Sequence, residues 1–174
     1  MANIIKEHKL VDTNRVAVVK YVGILDNASM ANNLLLNVSQ LRYALNTNGK
    51  IMSSNTDIKT TYKTTIKRIW GQGGLKDGRA ILKWQGTNTH SNTEICTFHD
   101  SMFDYNFASM GSQGSIPIED VANSTGNIVL SLDGNNLNDS FTLFLELHKD
   151  GRDYDQGQTA DPAAFNFGLY DGTH

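Results

Sequence analysis

Cysteine, proline, charge and helical periodicity are all scarce in this chain of 174 residues. Cys96 is the only cysteine, which excludes an internal disulfide. Pro117 and Pro162 are the only prolines, so neither a proline-rich linker nor a polyproline ligand is present. Charged residues make up 19% of the chain, below the average of about 25% for soluble domains. No apolar run approaches the roughly 20 residues of a membrane-spanning helix, so no membrane partner is expected. The start, Met1 to Lys9, carries charge where a signal peptide needs an apolar core. Synthesis in a cytoplasm without a signal peptide is the expectation. The 3.6-residue spacing of an amphipathic helix is nearly absent, which argues against helical and α/β classes.

What fills the chain instead is Asn, Thr, Ser and Gly between short runs of period two, the pattern of many strands joined by turns. The run Thr64 to Gln85 organises the reading. Ile66, Arg68 and Trp70 are expected on one side of a strand, with Lys67 and Ile69 on the other. Ile81 and Lys83 alternate in the same way with Leu82 and Trp84. The glycine-rich Gly71 to Gly78 between them predicts a β-hairpin whose two tryptophans meet in one core. Gly71-Gln72-Gly73-Gly74 ahead of Lys76 invites a phosphate-loop reading. However, Asp77 follows that lysine, and a strand rather than a helix follows the loop.

Earlier, Asn14 to Gly23 reads as a strand, and so does the segment up to about Ser39, followed by a short helical turn to Leu45. Later, Glu94 to His99 is a strand, and Ala108 to Ser124 is a long soft loop. Gly126 to Leu132 is expected to pair by hairpin with Ser140 to Lys149, the cleanest alternation in the chain. The domain limits that follow are an N-terminal arm over 1–12, a β-sandwich over 13–149 and a C-terminal extension over 150–174. The arm is expected to order only against something that binds it. The extension ends in an apolar cluster, Phe165, Phe167, Leu169 and Tyr170, expected to dock on the chain's own core or on a neighbouring subunit.

Charge is unevenly spread. Residues 59–83 hold seven Lys or Arg against Asp77 alone, and residues 84–174 hold thirteen Asp or Glu against Lys149 and Arg152. Lys63, Lys67 and Arg68 are the candidate interface residues of that basic stretch, meeting a protein partner rather than nucleic acid.

Catalytic and metal patterns fail one by one. His90, Cys96, His99, Asp100 and Asp104 offer ligand atoms but no paired spacing of a zinc set. From Asp150, the third and fifth positions of a calcium loop are Arg152 and Tyr154, which cannot serve. Asp133, Asn135, Asn138 and Asp139 read as turn chemistry. Gly111 to Ser115 lacks the spacing of a nucleophile elbow. No catalytic residue, metal or cofactor is therefore assigned, and the expectation is a protein that is not an enzyme.

One resemblance goes further. The order RVAVVKYVG from Arg15, Asn37-Val38-Ser39 with Leu41, IKRIWGQGG from Ile66 and AILKWQG from Ala80 is similar to that of small all-β structural proteins of tailed bacteriophages. FDYNFASMG from Phe103, STGNIVLSLDG from Ser124 and FTLFLELHK from Phe141 continue it. It covers roughly Asn14 to Lys149, and Asn127 stands where those proteins carry Asp. The fold expected is an antiparallel β-sandwich of jelly-roll type with extended N- and C-terminal arms, and the resemblance implies residence in a virion. The implied role is a capsid decoration (cement) protein, with the major capsid protein lattice and its own copies as partners. A tail, neck or fibre component and a carbohydrate-binding adhesin are the alternatives.

Overall fold

The computed structural model describes residues 3–53, 56–87, 91–107, 116–117 and 123–157. Within them the chain is all-β. Its strands are β1 (Ile4–Asp12), β2 (Val16–Ile24), β3 (Met30–Leu36), β4 (Thr64–Gly74), β5 (Arg79–Gly86), β6 (Thr93–Phe98), β7 (Met102–Asn106), β8 (Ile116–Pro117), β9 (Ser124–Asp133) and β10 (Ser140–Lys149). A 3-10 turn, Val38–Gln40, follows β3 and is capped by Asn37, whose side chain accepts from the Ser39 amide. Two antiparallel sheets pack face to face. One runs β1-β2-β10-β4-β7, with β8 also on β4, and the other runs β3-β9-β5-β6. Among the described residues no helix is long and apolar enough to cross a membrane.

Alternation decides the core. Phe141, Leu143, Leu145 and Leu147 of β10 meet Ala17, Val19 and Tyr21 of β2, all buried. From the facing sheet come Ala80, Leu82 and Trp84 of β5 with Ile128, Leu130 and Leu132 of β9. Burying such side chains contributes on the order of 1.5–3 kcal/mol each, so the inner faces dominate folding.

Both predicted hairpins are corrected. β4 pairs with β10 and β7, while β5 pairs with β9 and β6. β9 and β10 likewise lie in opposite sheets. Period two reports which face a residue takes and nothing about which strand lies beside it, so two half-buried strands facing one core from opposite sheets mimic a hairpin. Among sequential strands only β1–β2 and β5–β6 are hydrogen-bonded neighbours. Three connections that cross between sheets pack together at one end. The Leu25 amide donates to the Asp139 carbonyl at 2.8 Å, and Asn136 Nδ2 donates to Asp77 Oδ2 at 3.0 Å. Asn135 donates to the Asp26 carbonyl there.

The first half of the glycine-rich stretch, residues 71–74, is strand, and only residues 75–78 form the connection to β5. A Cβ at Gly71 would strike the Thr142 carbonyl, and one at Gly73 the His99 carbonyl. Close backbone approach, not phosphate binding, explains these glycines.

Two limits move. Residues 4–12, read as an arm awaiting a partner, find it in β2 and form the edge strand β1. Residues 150–157, placed in the extension, close the far end of the sandwich. Tyr154 is fully buried, its hydroxyl donates to the Val38 carbonyl at 2.9 Å, and its ring packs on Tyr62 at 5.8 Å. The predicted tail cluster, Phe165 to Tyr170, lies outside the described residues, as does most of the 108–124 loop.

Candidate functional site

The face of β1-β2-β10-β4-β7 that turns away from the core is the candidate site. A bulge sets it up. Glu146 stands opposite Arg68 but Leu147 opposite Ile66, so Lys67 is an extra residue in β4. Ile66 and Ile69 are therefore both buried, and Arg68 and Trp70 turn outward. This corrects the expected phase, in which Ile66 shared a side with Arg68 and Trp70, and it removes Trp70 from the core. Trp84 remains inside at 2% exposure.

Register then assembles one row across four strands. Phe144 of β10 is paired with Lys20 of β2 and with Trp70 of β4, and Trp70 with Asp104 of β7. The Phe144 and Trp70 rings stack at 5.1 Å with 5° between their planes. Lys20 Nζ lies 5.6 Å from the Phe144 centroid. The Arg68 guanidinium lies 4.8 Å from the indole and makes a two-point contact with Asp104, at 2.9 and 2.7 Å. Hydrogen bonding to Arg68 holds the Asp104 carboxyl below its ordinary range. Phe144 meets the indole from one neighbouring strand, and Asp104, from the other, anchors the guanidinium that covers it. The rings therefore stand side-on, presenting edges outward. Beside them Gln72, Met102, Phe103, Asp104 and Thr142 line a shallow groove of about 370 Å³ with the two rings.

Over the other half of the same face aliphatic side chains alternate with polar and charged ones, Lys6, His8, Glu146 and His148 among them. Val16, Val18, Val22 and Ile24 of β2 point outward, with Ile24 56% and Ile4 51% exposed. Met102, at 83%, closes the opposite margin.

The interface candidates read from the sequence do not form one patch. Arg68 belongs to the stacked row and Lys67 to the bulge. Lys63 lies at the end of the sandwich, its amide donating to Asp153 Oδ2 at 2.8 Å. The basic stretch and the acidic C-terminal half also meet within the chain. Lys59 pairs with Asp153 at 2.9 Å, Arg79 with Asp133 at 2.9 Å and Arg68 with Asp104. Much of the apparent charge asymmetry is internal complementarity.

Phe144, Lys20 and Met102 were not singled out in the sequence. The available signal was Phe144 itself, a ring on the otherwise polar side of β10.

The candidate ligand residues are dispersed. Among the described residues no three His, Cys, Asp or Glu side chains gather as a metal site. His99 Nδ1 lies 3.2 Å from the Gly78 carbonyl. Burial, helped by Glu94, pushes the Cys96 thiol up to about 12, far from the thiolate a ligand or nucleophile requires. His90 lies outside the described residues.

At the far end sits a buried cation. Lys149 Nζ donates to Asp12 Oδ1 at 2.5 Å and to the carbonyls of Thr13 and Arg42 at 2.6 and 2.9 Å. Three acceptors use all three ammonium protons, which makes this a structural clamp between the first and last strands.

No family model, no curated protein and no solved structure matches the chain.

Proposed function

We propose that this chain is a non-catalytic structural protein of a virion. It would be a capsid decoration protein of jelly-roll type that meets a protein shell through the outer face of its larger sheet. The observation that carries the reading is that face: aliphatic side chains on β1 and β2 continue into the edges of the Phe144 and Trp70 rings. Outward aliphatic and aromatic side chains interspersed with charged ones make a mixed surface of the kind a non-obligate protein partner buries. The jelly-roll part is supported by the order β2-β10-β4-β7 packed against β3-β9-β5-β6, in which successive strands repeatedly change sheet. A lattice of repeated sites lets weak individual contacts suffice through multivalency.

Sugar binding fits the geometry less well. A pyranose stacks on an open ring face, and here Phe144 and the Arg68 guanidinium flank the indole.

The test is quantitative mass spectrometry of purified particles. A copy number in fixed ratio to the major shell protein is expected. A few copies per particle would move the protein to a tail, neck or fibre, and its absence would overturn the proposal. Reversing the charge of Arg68, the one of the three candidates in the stacked row of that face, should weaken binding to shells.

A further inference from the structure

The outer face carries its charges in an order that complements a second copy of itself. Along the central row β2, β10, β4 and β7 present Lys20, Phe144, Trp70 and Asp104. A cation stands at one end, a carboxylate at the other, and two rings lie between. The row on one side presents Val18, Glu146, Arg68 and Asn106, and the row on the other Val22, Thr142, Gln72 and Met102. These side chains turn away from the core, and none is buried.

Two copies can lay this face against itself about either of two axes. An axis across the strands, along the central row, sets Lys20 against the partner's Lys20 and Asp104 against the partner's Asp104. Like charges so opposed exclude that mode. An axis along the strands, between β10 and β4, exchanges β2 with β7 and β10 with β4. Lys20 then meets the partner's Asp104, and Phe144 meets the partner's Trp70. In the second row Glu146 meets the partner's Arg68. In the third, Thr142 meets the partner's Gln72, and Val22 meets the partner's Met102, which is 83% exposed in the single chain. Of these rows only Val18, set against the partner's Asn106, has no matching group. Each contact occurs twice, as a two-fold axis requires. Arg68 and Asp104 already pair within the chain at 2.7 Å. The incoming Glu146 and Lys20 extend that pair into a line of four alternating charges.

The extent of the face agrees. Four strands about 4.8 Å apart, with residues about 3.4 Å apart along each, give about 500 Å² per copy. Two copies bury about 1,000 Å² together, the lower bound for a specific interface. We infer that this face is a self-complementary interface through which two copies of the chain form a weak, reversible homodimer. Its two-fold axis runs along the strands between β10 and β4. The inference stands on the face alone and goes beyond the shell reading. A dimer covers the surface proposed to meet the shell, so the two associations compete.

Sedimentation equilibrium of the full chain tests it from about 1 μM to about 1 mM, the range in which an interface of this size associates. The mass is expected to rise from that of one chain toward that of two. Lys20→Glu sets carboxylates against each other and Asp104→Lys sets cations against each other. Each variant alone should associate about tenfold more weakly than the parent, or worse. Mixed in equal amounts, the two variants place opposite charges at both ends of the row, and a mixed dimer is expected where neither dimerises alone. A variant that had merely lost its fold would not be rescued in this way. A parent that stays a single chain at every concentration overturns the inference and leaves the face to a different protein. A dimer that either variant leaves intact also overturns it, because another surface then makes that dimer. A mixture that stays monomeric while the parent dimerises overturns the register. Purified particles separate the two proposals. A monomeric parent bound to shells defeats the dimer alone, and a dimer absent from particles defeats the virion reading alone.

Discussion

Arg68–Asp104 and Lys149–Asp12 are both cation–carboxylate pairs that join separate strands, and they sit on opposite faces of the same sheet. The side chains of the inner pair are 0% and 9% exposed, and those of the outer pair 38% and 51%. On the inner face the ammonium has surrendered its water and has every proton directed at a fixed acceptor. On the outer face the guanidinium is half in water and spends its second surface on an indole. Similar chemistry therefore does two jobs. The inner pair closes the fold by clamping β1 to β10. The outer one props a ring on edge within an exposed surface.

The largest effect that would test this contrast comes from Lys149→Met. Removing the cation leaves the Asp12 carboxylate at a site with little water, and breaking one side of a buried pair costs about 3–5 kcal/mol. Urea unfolding should show a loss of that order. Adding Asp12→Leu should recover much of it, because the unpaired charge is then gone. A single variant as stable as the parent would mean that water reaches the pair, and the contrast between the faces would fall.

Much of this arrangement was visible in the residues, and the part that was not has a physical cause. The alternation of Phe141 to Lys149 states which side chains enter the core, and β10 obeys it throughout. Partnership was hidden, since β10 lies between β2 and β4, strands more than sixty residues from it in sequence. Trp70 was misplaced for a subtler reason. One extra residue at Lys67 reverses the phase of every later side chain in β4, and a bulge leaves no local mark beyond a pair of cations. Lys149 is simply the last residue of the predicted strand Ser140 to Lys149; its burial depends on Asp12, Thr13 and Arg42, which sequence spacing does not bring together. The outer face was half legible, because Phe144 on a polar side was open to view while its stacking partner had been assigned to the core.

A smaller effect is expected from the tryptophans taken as a pair. Trp84→Ala empties a buried site and should cost about 3–5 kcal/mol. Trp70→Ala removes one stacked pair and one cation–π contact at a half-exposed site, so about 1–2 kcal/mol is expected. Equilibrium denaturation of the two variants sharpens the comparison of faces. Equal losses would mean that Trp70 is as much a core residue as Trp84, and the outward groove would not exist as described.

The smallest effect belongs to the outer ion pair itself. Hydrogen bonding to Arg68 lowers the Asp104 pKa, so the unfolded state binds that proton more readily than the folded one. The sign follows: the pair's contribution is present above the ordinary carboxylate pKa and is lost as pH falls through the depressed folded value. A double-mutant cycle on Arg68→Ala and Asp104→Ala should give a small coupling at neutral pH and low salt. It should fade in ~1 M salt, where the screening length is about 3 Å, and again in acid. The same cycle on Lys149 and Asp12 should hardly respond to salt, since little solvent lies between those atoms. Coupling at Arg68–Asp104 that ignored both salt and acid would show a pair shielded from water.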